Sequence, residues 1–211
     1  MKTVLIVESP AKAKKIQKFF QNNTVVTSSF GHIYDLPRGQ ISINIEDNFK
    51  PNYQPIDGKQ KIIKNLRSLS KNNRVLLAAD DDREGDAIAW HCGKVMKLKT
   101  KDKNRIIFRE VSKKAIEKAM ENVHTLDMNS VNAQQARRII DRLVGYSLSP
   151  CLWRNIQTNK KGLSAGRVQS TLLSILKDHE STIDNFESEF SYDFRGSFEF
   201  GTDTTDCELL F

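Results

Sequence analysis

The sequence predicts an α/β fold, a parallel sheet covered by helices on both faces. Residues 3–7 (Thr-Val-Leu-Ile-Val) and 75–79 (Val-Leu-Leu-Ala-Ala) are short apolar runs without polar alternation, as in strands buried on both sides. Each run ends in a polar turn that opens a helical pattern, so strands and helices alternate as in βαβ units. Sites in such sheets lie beyond the carboxyl ends of the strands. That rule puts Glu8 and the acidic stretch from Asp80 onward on one edge, far apart in sequence.

The first helix starts at Ser9, a good N-cap, and Pro10, which suits the first helical position. Ile16, Phe19 and Phe20 form the core face of this helix over residues 11–20. Lys12, Lys14 and Lys15 crowd its first turns, where cations oppose the helix dipole. A bound anion, phosphate above all, resolves that conflict. A solvated lysine face is the alternative, and fits Lys14 and Lys15 better than Lys12.

Residues 25–30 read as a strand, broken by Gly31-His32 and closed by residues 35–39 (Asp-Leu-Pro-Arg-Gly). A polar, turn-rich excursion follows at about residues 37–58. Ile62, Ile63 and Leu66 mark a helix over residues 59–69 that leads into the 75–79 strand. A helix through Trp90 comes next, then a strand over residues 105–111. Ser112 then caps a helix to Asn122 with Ala115, Ile116 and Ala119 inside.

Asp80, Asp82 and Glu84 stand two apart, so in an extended crest their side chains point the same way. Clustered carboxylates repel unless a cation neutralises them. Mg²⁺, which needs only one or two carboxylates plus water and phosphate, is the natural ion. The plain alternative is a solvated acidic turn capping the helix, with Asp86 near its positive end. Glu8 on the same sheet edge favours the metal.

A net charge of +7 and a pI of about 9.3 fit an anionic partner without identifying one. Cys92, Cys151 and Cys207 give neither a disulfide framework nor a zinc ribbon, which fits a reducing, cytoplasmic setting. No apolar run is long enough to span a membrane, and residues 1–5 lack the anatomy of a signal peptide.

The composition changes after about Asp127. Residues 130–144 are amphipathic, with Ala136, Ile139, Ile140 and Leu143 toward a core and Arg137, Arg138, Asp141 and Arg142 opposite. Tyr146 and Trp153 lie just beyond, among Lys160, Lys161 and Arg167. Aromatics beside cations suit a groove for single-stranded nucleic acid, although each aromatic alone is more commonly a core residue. Residues 162–170 open a further helix that Ser164 could cap, equally a phosphate site or a plain helix entry. Val168, Leu172, Ile175 and Leu176 are expected to bury it.

Over residues 190–200 the alternation is strict. Phe190, Tyr192, Phe194, Phe198 and Phe200 share one face; Ser191, Asp193, Arg195, Ser197 and Glu199 share the other. Only about ten residues follow, too few for a sheet, so the chain is expected to stop inside its next domain. The divisions expected are 1–127 for the sheet domain, 128–185 for a helical segment and 186–211 for the start of a β domain.

Five stretches, in order, resemble the type IA DNA topoisomerases of the bacterial topoisomerase I kind. They are residues 4–12 (Val-Leu-Ile-Val-Glu-Ser-Pro-Ala-Lys), 29–37 (Ser-Phe-Gly-His-Ile-Tyr-Asp-Leu-Pro), 80–85 (Asp-Asp-Asp-Arg-Glu-Gly), 136–146 (Ala-Arg-Arg-Ile-Ile-Asp-Arg-Leu-Val-Gly-Tyr) and 162–170. The resemblance implies a Toprim sheet first, then the helical DNA-binding segment and the first strand of an incomplete β arch. It implies Mg²⁺ at Glu8, Asp80, Asp82 and Glu84. Glu8, Lys12 and Arg83 would be catalytic, with Lys12 beside the scissile phosphate. His32, Arg137, Arg138, Asp141, Tyr146, Trp153, Ser164, Ala165, Gly166, Arg167, Val168 and Gln169 would contact DNA, single-stranded or negatively supercoiled. Asp86 stands where the family usually has Glu.

The implied activity is ATP-independent breakage and resealing of one strand, relaxing negative supercoils, by an enzyme expected to be a monomer. The family's nucleophile is a tyrosine in a Tyr-x-Arg-Thr-Asp-Ser-like motif, and Tyr34, Tyr53, Tyr146 and Tyr192 all lack that neighbourhood. This chain alone is therefore expected not to cut DNA. The alternatives are a non-catalytic module that binds single-stranded DNA, or another Toprim enzyme such as a primase or nuclease.

Overall fold

The computed structural model describes residues 2–20, 23–156, 162–190, 192 and 194–209. They fall into two compact units, Met1–Gly166 and Arg167–Phe211. In chain order the first unit contains β1 (Thr3–Val7), α1 (Pro10–Gln17), β2 (Thr24–Ser28), β3 (Tyr34–Asp35), β4 (Ile43–Asn44), β5 (Lys50–Pro51) and β6 (Gln54–Pro55). It continues with α2 (Gln60–Ser70), β7 (Arg74–Leu77), α3 (Arg83–Val95), α4 (Lys113–Glu121) and α5 (Met128–Asn155).

The sheet is parallel, in the order β2-β1-β7, with Thr3 opposite both Thr24 and Arg74. Alternate residues of β1 feed two separate cores. Val4 and Ile6 pack with Val75, Leu77, Ile63, Leu66, Ile88 and Cys92 on one side. Leu5 and Val7 pack with Leu76, Ile16, Ile106 and Ile116 on the other. Both faces of the strand are dry, which is why its sequence lacks polar alternation. Each fully buried Leu, Ile or Val here contributes about 1.5–3 kcal/mol.

Local signals hold at the helix starts. Ser9 Oγ accepts from Lys12 N at 3.2 Å, Pro10 opens α1, and Ser112 Oγ accepts from Ala115 N at 3.3 Å. Helix α1 closes at Gln17, so Phe19 and Phe20 follow it and pack partly buried against the core. Strand β7 ends at Leu77, yet Ala78 N still donates to Ile6 O at 2.7 Å, keeping residues 78 and 79 against the sheet. The strand expected over residues 105–111 does not form. Arg105 makes a single parallel bridge with Leu77 and an antiparallel one with His124, and the chain then leaves the sheet edge.

The apolar face expected of residues 130–144 is half-buried at Ile139 and Leu143 but not at its other two positions. Val131 and Gln134 are buried, whereas Ala136 is exposed and Ile140 is 55% exposed. A stripe of α5 that contacts the loop after β3 and α3 runs Val131, Gln134, Arg138, Arg142, positions three or four apart on one helix face. Its polar members meet polar partners on the loop after β3 and on α3. A reading by hydrophobicity therefore misses this polar stripe.

The second unit holds α6 (Arg167–Asp184) and a hairpin of β8 (Phe194–Phe200) and β9 (Asp203–Leu209) turning through Gly201 at φ +65°. The helix begins at Arg167, so Ser164 precedes the cap position. Val168, Leu172, Ile175 and Leu176, expected to be buried, are more than half exposed. The residues after Phe200 do supply a partner strand, pairing Phe194 with Leu209, contrary to the expectation that they were too few. Phe190 is 93% exposed and precedes the strand. Ser191 and Asp193, like Lys160 and Lys161, lie outside the described residues.

Candidate functional site

Three strand ends meet at the carboxyl edge of the sheet. Glu8 follows β1, Asp80 lies just past β7, and residues 29–32 follow β2. Ser29 N donates to Val7 O at 2.9 Å and Gly31 N to Glu8 O at 2.8 Å, so the β2 turn is tied to the Glu8 backbone. Lys12, in the first turn of α1, puts its ammonium between the two acids, 2.9 Å from Glu8 Oε1 and in contact with Asp80 Oδ1. The adjacent Asp80 carboxyl and burial raise the Glu8 pKa, while Glu8 and the Lys12 ammonium lower that of Asp80. Burial pulls the Lys12 pKa down, but its bonds to Asp80 and Glu8 outweigh that and raise it.

The extended acidic crest does not form. Asp82 is the N-cap of α3, its Oδ1 accepting from Gly85 N at 2.6 Å, and Glu84 already lies in the helix. The capping part of the plain alternative thus belongs to Asp82. Glu84 turns toward His32 and Gln134, its Oε2 accepting from Gln134 Nε2 at 3.0 Å and its Oε1 meeting His32 Nε2. Burial raises the Glu84 pKa, but these two partners outweigh it and lower it. Among the described residues no three His, Cys, Asp or Glu side chains converge as an all-protein cage would need. Arg83 is exposed at the first position of α3, with no side-chain hydrogen bond among the described residues.

Asp80 is held from behind. Gly85 lies so close that a Cβ there would sit 2.2 Å from Asp80 O. Arg105, 1% exposed, donates to Asp80 O at 2.6 Å, Ala79 O at 2.7 Å and Ile106 O at 2.9 Å, and pairs with Asp86 at 3.0 Å. Asp86 thus neutralises a buried guanidinium that braces the turn, rather than serving only the helix dipole.

A second set of groups runs from this edge onto α5. Arg138 grips Asp35 with both arms, Nε to Oδ1 at 3.0 Å and Nη2 to Oδ2. Arg142 donates to Pro37 O at 2.7 Å, Leu36 O at 2.9 Å and Gln40 O at 3.0 Å, and its guanidinium lies 5.0 Å from the Tyr146 ring centre. Tyr146 Oη accepts from Gly39 N at 2.9 Å. These residues bolt the loop after β3 to α5. Beyond them opens a groove of about 630 Å³ lined by Arg138, Asp141, Arg142, Tyr146, Trp153, Ser164 and Ala165, among others. Trp153 is 62% exposed, its indole N–H donating to Leu163 O at 2.6 Å. Arg137 faces solvent 3.9 Å from Asp141. Gly166 ends the first unit, and Arg167, Val168 and Gln169 begin α6 in the second.

Comparison with known proteins gives this geometry a family. Residues 3–113 match the Toprim domain family, and residues 125–208 match the DNA topoisomerase family. Full-length topoisomerase I from Thermotoga maritima is 44% identical, with a TM-score of 0.82 over 96% of this chain. The chain belongs to the type IA DNA topoisomerases. It spans 34% of the length of the Thermotoga topoisomerase I.

Several residues of this topoisomerase chain escaped the sequence reading. Asp35, Gly85, Gln134, Arg142 and Arg105 all hold predicted site residues in place. Gln134 carries no sequence signal, since the burial that sets it against Glu84 shows only in the structure. Arg105 carries none, because an arginine beside Ile106 and Ile107 reads as a strand end.

Proposed function

We propose that this chain supplies the Mg²⁺ site and the single-strand groove of an enzyme that breaks and reseals one DNA strand without ATP, relaxing negative supercoils. The observation that carries the reading is the Lys12 ammonium held between Glu8 and Asp80 at the carboxyl ends of β1 and β7. A lysine confined there meets a phosphate oxygen at a fixed point, while the acids limit how far it moves.

The carboxyl pair also fits Mg²⁺. Glu8 and Asp80 already share a cation, and Mg²⁺ takes its remaining ligands from water and phosphate. Glu8 and Asp80 would hold it, with the free oxygen of Asp82 nearest in sequence; Glu84 is committed to His32 and Gln134. Bound there, the ion would polarise the phosphate and neutralise charge developing on it. His32, fixed by Glu84, would orient the strand at the edge, and Trp153 and Arg137 would take bases and phosphates along α5. Arg83, exposed beside this edge, would act on the same phosphate.

The nucleophile is expected elsewhere in a longer protein. Tyr53 is pushed up to about 12 by burial, and the Tyr146 hydroxyl is taken by Gly39 and Arg142, so neither suits attack.

Calorimetry with Mg²⁺ and a short oligonucleotide tests the site directly. Binding of Mg²⁺ should weaken about tenfold or more in Glu8→Gln and Asp80→Asn. Unchanged binding in both variants refutes the assignment. Oligonucleotide binding without any Mg²⁺ dependence would favour a non-catalytic module instead. A longer protein that carries this chain and the tyrosine motif should relax negatively supercoiled plasmid with Mg²⁺ alone. Failure to do so, in folded protein, refutes the activity.

A further inference from the structure

A second cavity, of about 310 Å³, lies between α2, α3 and residues 51–53 and takes no part in the cleavage reading. Its volume is at the lower end of small-molecule sites. Tyr34, Tyr53 and Trp90 wall it, Arg67 and Lys94 line it as exposed residues, and no carboxylate contributes. Arg67 has no side-chain partner among the described residues, and Lys94 sits 4.3 Å from the Trp90 ring centre. His91 lies at the centre of the aromatic cluster, 4.9 Å from both Tyr53 and Trp90 and 5.8 Å from Tyr34 by ring centres.

His91 is 5% exposed, yet neither ring nitrogen has a hydrogen-bond partner. Buried polar groups are almost always partnered, so an orphaned imidazole in a cavity wall signals an absent partner. Burial holds its pKa down to about 3, so the ring is neutral and offers one donor and one acceptor. The two ring nitrogens point away from one another, so a base edge pairs with one of them. Aromatic walls favour a planar π-face, and two cations without a neighbouring acid favour an anion.

We propose that this cavity binds a nucleotide, its base on the Tyr53–Trp90 wall beside His91 and its phosphate at Arg67 and Lys94. The nucleotide is either free or part of a DNA strand, and the two sources share this chemistry.

The test uses the ¹⁵N-labelled chain and follows the indole N–H signals of Trp90 and Trp153, assigned with Trp153→Phe. dAMP should shift the Trp90 signal saturably. Deoxyadenosine and inorganic phosphate should each bind about tenfold more weakly or worse. Arg67→Glu, at an exposed position, should weaken dAMP about tenfold with an unchanged circular dichroism spectrum. If only a short oligonucleotide moves Trp90, and Arg67→Glu abolishes the shift, the site takes a nucleotide within a strand. No Trp90 shift with either ligand up to about 10 mM overturns the proposal, as do shifts that Arg67→Glu leaves unchanged.

Discussion

Replacing His91 with Phe should remove a large part of the acid sensitivity of the first unit. In the folded chain His91 is pushed down to about 3, chiefly by burial, with His32 and Lys94 adding and Asp35 opposing. Unfolded, it titrates near its ordinary value of 6.5. Between those values the unfolded chain binds one more proton, so stability rises with pH and falls as the solution is acidified below about 6.5. Each pH unit in that window is worth about 1.4 kcal/mol, so going from pH 7 to pH 5 should cost about 2 kcal/mol through this residue alone. Urea unfolding followed by tryptophan fluorescence reads the first unit, since Trp90 and Trp153 both lie in it. The Phe variant can be more or less stable at pH 7. What matters is that its loss between pH 7 and pH 5 is smaller by about 2 kcal/mol. An identical loss in both proteins would mean that His91 titrates freely when folded, and would refute the buried neutral imidazole.

Gly85→Ala should cost about 1–3 kcal/mol or more in urea unfolding and weaken Mg²⁺ binding, because its Cβ would meet Asp80 O at 2.2 Å. Arg105→Met leaves Asp86 and several buried carbonyls without their donor and should destabilise by about 3–5 kcal/mol; a loss below about 1 kcal/mol would contradict the bracing role. Lys12→Met leaves Glu8 and Asp80 facing one another and should tighten Mg²⁺ about tenfold, measured by calorimetry. Arg137→Ala should reduce the salt slope of oligonucleotide binding by about 0.7, whereas Trp153→Ala should cost about 1–3 kcal/mol with the slope unchanged.

The corrections to the sequence reading share one cause. Of the expected core face Ala136, Ile139, Ile140 and Leu143, only Ile139 and Leu143 are half-buried, while Gln134, Arg138 and Arg142 make the tertiary bonds, because they meet Glu84, Asp35 and the carbonyls of residues 36–40. In α6 the opposite holds, since Val168 and Leu172 sit at core spacing and remain exposed. Periodicity says which residues share a face. It does not say what that face will meet.

The sequence by itself determined the elements whose signals are local. Strands β1 and β7 follow from unbroken apolar runs, the starts of α1 and α4 from Ser9 with Pro10 and from Ser112, and the family from five short ordered motifs. Only the tertiary structure decided how the acids divide. Asp80 joins Glu8 around Lys12, Asp82 caps α3, Glu84 turns to His32 and Gln134, and Asp86 pairs with the buried Arg105. Consecutive acids in a sequence are chemically alike. They become different when backbone direction, an incoming helix and a buried guanidinium each claim one of them, and those partners lie up to 68 residues away.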